Sequence, residues 1–136
     1  MQDLGYISYQ PFYGYGFHKV EFTQKGCFRW TGPEKQSGVT FDCAKIAKCE
    51  FLVEYCFPTH CSTRLDFYIN GVMIEAFISE TLGLYTAKIV YENSGSYHCP
   101  IVLEFKSDVV VDTENDKRMR GLIISNISVT SFDLLE

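Results

Sequence analysis

Glu21, Arg29, Trp30, Asp116 and Arg118 have the side-chain types and spacing to meet a polar ligand. Asp116 and Arg118 stand with Gly121 as D-x-R-x-x-G, directly ahead of the apolar stretch Leu122-Ile123-Ile124. A carboxylate and a guanidinium this close can pair, or can present acceptors and donors together to a hydroxyl-rich molecule. Gly121 lets the backbone turn sharply into a strand. Two roles fit these residues. In the plainer one, Arg29 and Arg118 each pair a carboxylate and fasten an early strand to the last. In the other, the four charged groups line a saccharide site beside Trp30. That residue is the only tryptophan; it can stack on a sugar ring or anchor a core, and the core anchor is the commoner fate of such a residue.

Other chemistries find less support. No Gly-x-Ser-x-Gly elbow is present, and His18, His60 and His98 stand apart from one another, so nucleophilic catalysis has no base at hand. His60-Cys61 and His98-Cys99 carry ligand-type neighbours, but no C-x-x-C or H-x-x-x-H spacing accompanies them, and no zinc is expected. Asp108, Asp112, Glu114 and Asp116 are dense enough to hold a structural calcium, yet they lack the glycine and glutamate of an EF-type loop. Glycoside hydrolysis needs two acids across a cleft; Glu21, Glu50, Glu54, Asp66, Glu75 and Glu104 are available, but most alternate outward on strands as a solvated face would. The expectation is a protein without enzymatic activity and without a cofactor.

The elements that must hold these residues are strands. Aromatic residues make up 15% of the chain, with eleven Phe and nine Tyr, which favours half-buried pleated surfaces. Cys49, Phe51, Val53, Tyr55 and Phe57 alternate with Lys48, Glu50, Glu54 and Cys56, the period-two pattern of a strand with one wet face. Leu65, Phe67 and Ile69 repeat it, and Asn70-Gly71 comes next as a hairpin turn with Val72 to Phe77 as the return strand. Further strands are expected from Gly26 up to the Gly32-Pro33 turn, and at 39–42, 87–91 and 101–106. In the last strand the apolar phase shifts from Leu122 and Ile124 to Ile127 and Val129, which predicts a β-bulge near Ser125-Asn126. No helical period of useful length is found. About eight short strands at turn spacings of about 8–12 residues mean an all-β protein, best described as an antiparallel jelly-roll sandwich. Residues 1–15 read as an irregular aromatic lead-in, and 16–136 as a single domain.

Bulk properties narrow the partners. The chain has 136 residues, 46% of them apolar, enough for one ordinary core. A net charge of −5 with scattered Lys and Arg argues against nucleic acid. No segment reaches the roughly 20 apolar residues of a membrane-spanning helix. The start Met1-Gln2-Asp3-Leu4-Gly5 lacks the pattern of a signal peptide. The six cysteines are therefore expected as reduced thiols in a cytoplasmic protein.

Three ordered pieces carry a resemblance to a known family. Gly16-Phe17-His18-Lys19-Val20-Glu21 with Phe28-Arg29-Trp30-Thr31-Gly32-Pro33 is similar to a G-[FWY]-x-x-x-E … [FW]-R-W-[TS] opening. Phe67-Tyr68-Ile69-Asn70-Gly71 resembles a V-x-[VI]-N-G hairpin. Asp116-x-Arg118-x-x-Gly121-Leu122-x-Ile124 resembles D-x-R-x-L-G-[LIV]-x-[LIV]. Together, over residues 16 to about 130, they resemble the small β-sandwich module appended to bacterial glycosyltransferases and methyltransferases that build surface polysaccharides. Arg120 departs from the pattern, which usually has Leu there, and its charge is expected at the surface or as a disturbance of the loop. The resemblance implies a jelly-roll fold like a carbohydrate-binding module and a non-catalytic role in glycan assembly. Two functions stay open. One is saccharide binding. The other is a docking or oligomerisation domain that positions a glycosyltransferase, with the aromatic residues 6 to 15 driving a homodimer.

Overall fold

The computed structural model describes residues 2–6, 13–24, 26–41, 46–57, 64–92, 101–107, 110–111 and 119–134. Fourteen strands run through them: β1 (Gln2–Tyr6), β2 (Tyr13–Tyr15), β3 (Glu21–Thr23), β4 (Gly26–Trp30), β5 (Gln36–Phe41), β6 (Ile46–Cys56), β7 (Asp66–Ile69), β8 (Val72–Ile74), β9 (Phe77–Thr81), β10 (Leu84–Glu92), β11 (Ile101–Lys106), β12 (Val110–Val111), β13 (Met119–Arg120) and β14 (Ile123–Leu134). No helix occurs among the described residues. The larger sheet has the order β3-β4-β14-β6-β10-β9 with β1 added on β14, and the smaller has the order β2-β5-β11-β7-β8. The two antiparallel layers make the expected all-β jelly-roll sandwich.

Alternation explains the layering. Cys49, Phe51, Val53 and Tyr55 of β6 are buried while Lys48, Glu50, Leu52 and Glu54 face outward. Phe67 and Ile69, Leu103 and Phe105, and Val39 and Phe41 supply the facing layer. The Phe41 and Phe51 rings, one from each sheet, lie 5.4 Å apart and bridge the sandwich. Burying a side chain of this size contributes roughly 1.5–3 kcal/mol, so much of the aromatic excess of the composition serves the core. The three described cysteines, Cys27, Cys49 and Cys56, are free thiols. Burial raises the Cys56 thiol pKa, which keeps it protonated.

Two sequence features land where expected. The register of β14 on β6 shifts between Ile124 and Asn126, which is the bulge at Ser125-Asn126. Asn70 and Gly71 have φ of 49° and 83°, the left-handed pair of a tight hairpin turn. Asn70 also does more than turn the chain, because its Oδ1 accepts from the Val102 amide at 2.8 Å and its own amide donates to Val102 O at 2.9 Å.

Other expectations are corrected. The lead-in is not irregular throughout: β1 pairs with β14, and β2 pairs with β5. Its Gly-Tyr-Phe sequence shows no alternation because the pairing partners, not local pattern, select those strands. Val72 to Phe77 is not one strand either. The chain leaves the smaller sheet after Ile74 and enters the larger one at Phe77. An apolar run with no turn residue conceals such a change of layer. A second hairpin, β9–β10, turns on Leu82 and Gly83 with φ of 52° and 83°; leucine there carries no turn signal.

Strand register gathers Thr31 to Lys35, Arg64 to Asp66, Lys106 and Ser107, and Arg120 to Leu122 at one end of the sandwich. These segments are distant in the chain, and they meet because β5, β7 and β14 begin where β4 and β11 end.

Candidate functional site

Glu21, Arg29 and Trp30 share the β3–β4 hairpin, with Glu21 opposite Phe28. Trp30 and Arg29 pair with Ile123 and Ile124 at the start of β14. The early strand is thus fastened to the last one through the backbone. Thr31 completes the seam. Its amide donates to Leu122 O at 2.8 Å, its Oγ1 accepts from the Leu122 amide at 2.8 Å, and its carbonyl accepts from the Gly121 amide at 2.9 Å. Arg29 Nη1 donates to His18 O at 3.4 Å. Asp116 and Arg118 lie outside the described residues, as do His60, Cys61, His98, Cys99, Asp108, Asp112 and Glu114. Among the described residues no three His, Cys, Asp or Glu gather as metal ligands would.

Trp30 is only 8% exposed. Phe28 meets it edge-on at 6.4 Å, and the Arg120 guanidinium lies 4.2 Å from its ring centre. That is the geometry of a packed anchor, with one ring face already taken by a cation. Arg120 corrects the expectation of a surface charge: it is 6% exposed. A planar, weakly hydrated guanidinium can be buried on an aromatic face where an ammonium would lose more hydration. By sequence Arg120 is a departure from a pattern. The useful signal was its place beside Gly121-Leu122, at the point where the chain meets the lone Trp.

Beside this seam, at the same end, Lys35, Arg64, Asp66, Lys106 and Ser107 line a pocket of about 260 Å³. Lys35 closes the loop after β4 and accepts the Ser107 amide on its carbonyl at 2.9 Å. Lys106 and Asp66 are cross-strand partners in β11 and β7. Arg64 Nε donates to Asp66 Oδ1 at 3.1 Å, which holds the guanidinium at the mouth while its remaining N–H groups can serve a ligand. Lys106 Nζ stands 5.1 Å from the centre of the Tyr68 ring. Among the described residues the pocket is lined by three cations and one carboxylate. Such a mouth favours an anion, and the lysines, Ser107 and Asp66 offer donors and acceptors to hydroxyls around it. None of these five was singled out as a site from sequence. They come from three separate segments and carry no motif.

No family model and no curated protein matches this sequence. The fold does match solved structures. A family 35 carbohydrate-binding module from Clostridium thermocellum aligns with a TM-score of 0.56 at 13% identity, over 94% of this chain and 99% of that one. The CBM35 from Cellvibrio japonicus Abf62 gives 0.56 at 15% identity, over 98% and 96%. A Xyl-CBM35 in complex with a glucuronic acid containing disaccharide gives 0.51 at 16% identity, over 95% and 94%. At such identities the likeness is one of fold: the chain has a carbohydrate-binding-module-like jelly roll.

Proposed function

We propose that this chain is a non-catalytic carbohydrate-binding module whose end pocket receives a saccharide bearing a carboxylate. The observation that carries the reading is the pocket of Lys35, Arg64 and Lys106 around Asp66 and Ser107, set on a fold shared with carbohydrate-binding modules. One of those relatives in fold is described in complex with a glucuronic acid containing disaccharide, and the excess of cations here suits the same kind of group. In this reading the seam residues Glu21, Arg29 and Trp30 brace the end that holds the pocket. Asp116 and Arg118 belong to the same proposal. For Arg118→Ala, lost sugar binding with unchanged melting would mark a ligand contact, and lost stability would mark a brace. The module serves beside a glycosyltransferase or methyltransferase domain of glycan assembly, in the cytoplasm.

Calorimetric titration tests the site. Glucuronic acid should bind more tightly than glucose, should weaken as salt rises, and should lose roughly tenfold in affinity in Arg64→Ala. Equal affinity for the two sugars, or an Arg64→Ala variant that binds as the wild type does, would refute it. Silence toward both sugars would favour the docking role.

A further inference from the structure

We infer that the outer face of the smaller sheet carries a second saccharide subsite, built on Tyr15 and Tyr68 with Glu104 between them, that takes a neutral, extended glycan chain. It rests on the saccharide reading for the class of ligand, and of the pocket's cations only Lys106 stands beside it.

The register lays out the row. Tyr15 of β2 pairs with Gly38 of β5, Gly38 with Glu104 of β11, and Glu104 with Tyr68 of β7. All four side-chain positions point away from the core, because their neighbours Val39, Leu103, Phe105, Phe67 and Ile69 are buried. The backbones of the two tyrosines therefore stand three strands apart, about 14 Å along the hydrogen-bonding direction, and the Tyr15 ring leans across Gly38 toward Tyr68.

Tyr15 is seated rather than loose. A Cβ at position 38 would come within 2.6 Å of its Cε1 and 3.0 Å of Glu104 Cγ, so the ring lies directly over the space that glycine leaves. Its hydroxyl donates to Glu104 Oε2 and accepts from Gln36 Nε2 at 2.9 Å, and Gln36 also donates to Glu104 at 2.7 Å. The residue is nonetheless 45% exposed. An aromatic ring fixed on one side and open on the other is a stacking surface that is already ordered before a ligand arrives. The carboxylate and amide at its rim can accept and donate to sugar hydroxyls.

Charge separates this row from the pocket. Glu104 would repel a uronic acid, whereas the pocket two residues further along the same strands favours one. A row of alternating ring and polar group across a sheet fits an extended, β-1,4-linked chain of neutral sugars. The link between the subsites is Lys106, whose Nζ stands 5.1 Å from the centre of the Tyr68 ring while its side chain lines the pocket.

The test uses the whole chain with cellohexaose, xylohexaose and glucuronic acid as probes. One or other hexasaccharide should bind the wild type. Tyr15→Ala and Gly38→Ala should each weaken that binding by roughly tenfold while leaving glucuronic acid binding unchanged. Gly38→Ala keeps every polar group; its Cβ displaces the ring first and crowds Glu104 Cγ less closely. Arg64→Ala should do the reverse. As a measurement independent of any variant's folding, amide chemical shifts of the wild type with hexasaccharide should move at Tyr15, Gly38, Glu104 and Tyr68. The inference is overturned if neither hexasaccharide binds, if the shifts fall elsewhere, or if folded Tyr15→Ala and Gly38→Ala bind as the wild type does. Hexasaccharide binding without glucuronic acid binding would sink the pocket reading and leave this one standing.

Discussion

The Arg120 guanidinium lies 4.2 Å from the centre of the Trp30 ring, both residues nearly out of reach of water. This contact closes the end of the sandwich where the early hairpin meets the last strand. Arg120→Ala removes a desolvated cation–π contact and the packing of a long side chain, and should cost about 2 kcal/mol. Because Trp30 is the only tryptophan, its fluorescence should shift to the red in the folded variant as water reaches the ring. Urea unfolding measures the first effect and emission spectra the second. Unchanged emission would mean that something other than Arg120 shields the ring.

Thr31 makes the adjoining bond, accepting the buried Leu122 amide on its hydroxyl at 2.8 Å. Thr31→Val keeps the shape but strands that amide, and an unmet buried donor costs about 1–3 kcal/mol. The variant should lose stability in that range, and hydrogen exchange at Leu122 should accelerate. Loss of stability with Leu122 still protected would point to a packing defect instead.

Leu82 is 99% exposed and sits at φ of 52°, a left-handed conformation that costs an L-residue with a bulky side chain about 1–2 kcal/mol. Asparagine tolerates that region and forms the favoured turn with the following Gly83. Leu82→Asn should therefore raise stability by about 1 kcal/mol, measured as a higher urea midpoint at unchanged slope. A lower midpoint would show that Leu82 is held by contacts worth more than its backbone strain.

Two phenols should titrate late. Tyr15 is pushed up to about 12, first by burial of its hydroxyl and then by the bond it donates to Glu104, which only the protonated phenol can make. Tyr55 is pushed up to about 12 by burial and by its neighbour Tyr85, whose ring stacks on it at 5.4 Å. Both values lie above the ordinary 10.0. The folded state favours the protonated form, so their contribution to stability is intact below pH 10 and is lost as pH climbs toward 12. Tyrosinate absorbance followed with circular dichroism should show a late-titrating group coincident with unfolding. Tyr15→Phe should reduce its amplitude by one phenol. A single transition near the ordinary phenol value with the fold intact would contradict these environments.

Much of the architecture was written in local order. The alternation from Lys48 to Phe57 needs no partner to declare a strand with one buried face, because a pleated chain puts successive side chains on opposite sides. Asn70-Gly71 announces its turn since few other pairs tolerate two positive φ angles in succession. The slipped phase after Ile124 exposes its bulge in the same way. These signals act between neighbours, and neighbours are what a sequence displays.

Contacts between distant segments were decided only by the folded chain. β1 and β2 are strands because β14 and β5 offer them edges, and their own residues carry no period that says so. Tyr15 and Glu104 are 89 positions apart, yet three adjoining strands put the phenol on the carboxylate. Lys35, Arg64 and Lys106 become one cationic mouth because β5 and β7 begin where β11 ends. Arg120 looks like a surface charge until Trp30 is beneath it. Residue types and spacing determined the strands and their wet and dry faces, since each depends on the next residue or two. Strand order determined which side chains share a surface, since hydrogen bonding across a sheet joins residues without regard to their distance along the chain.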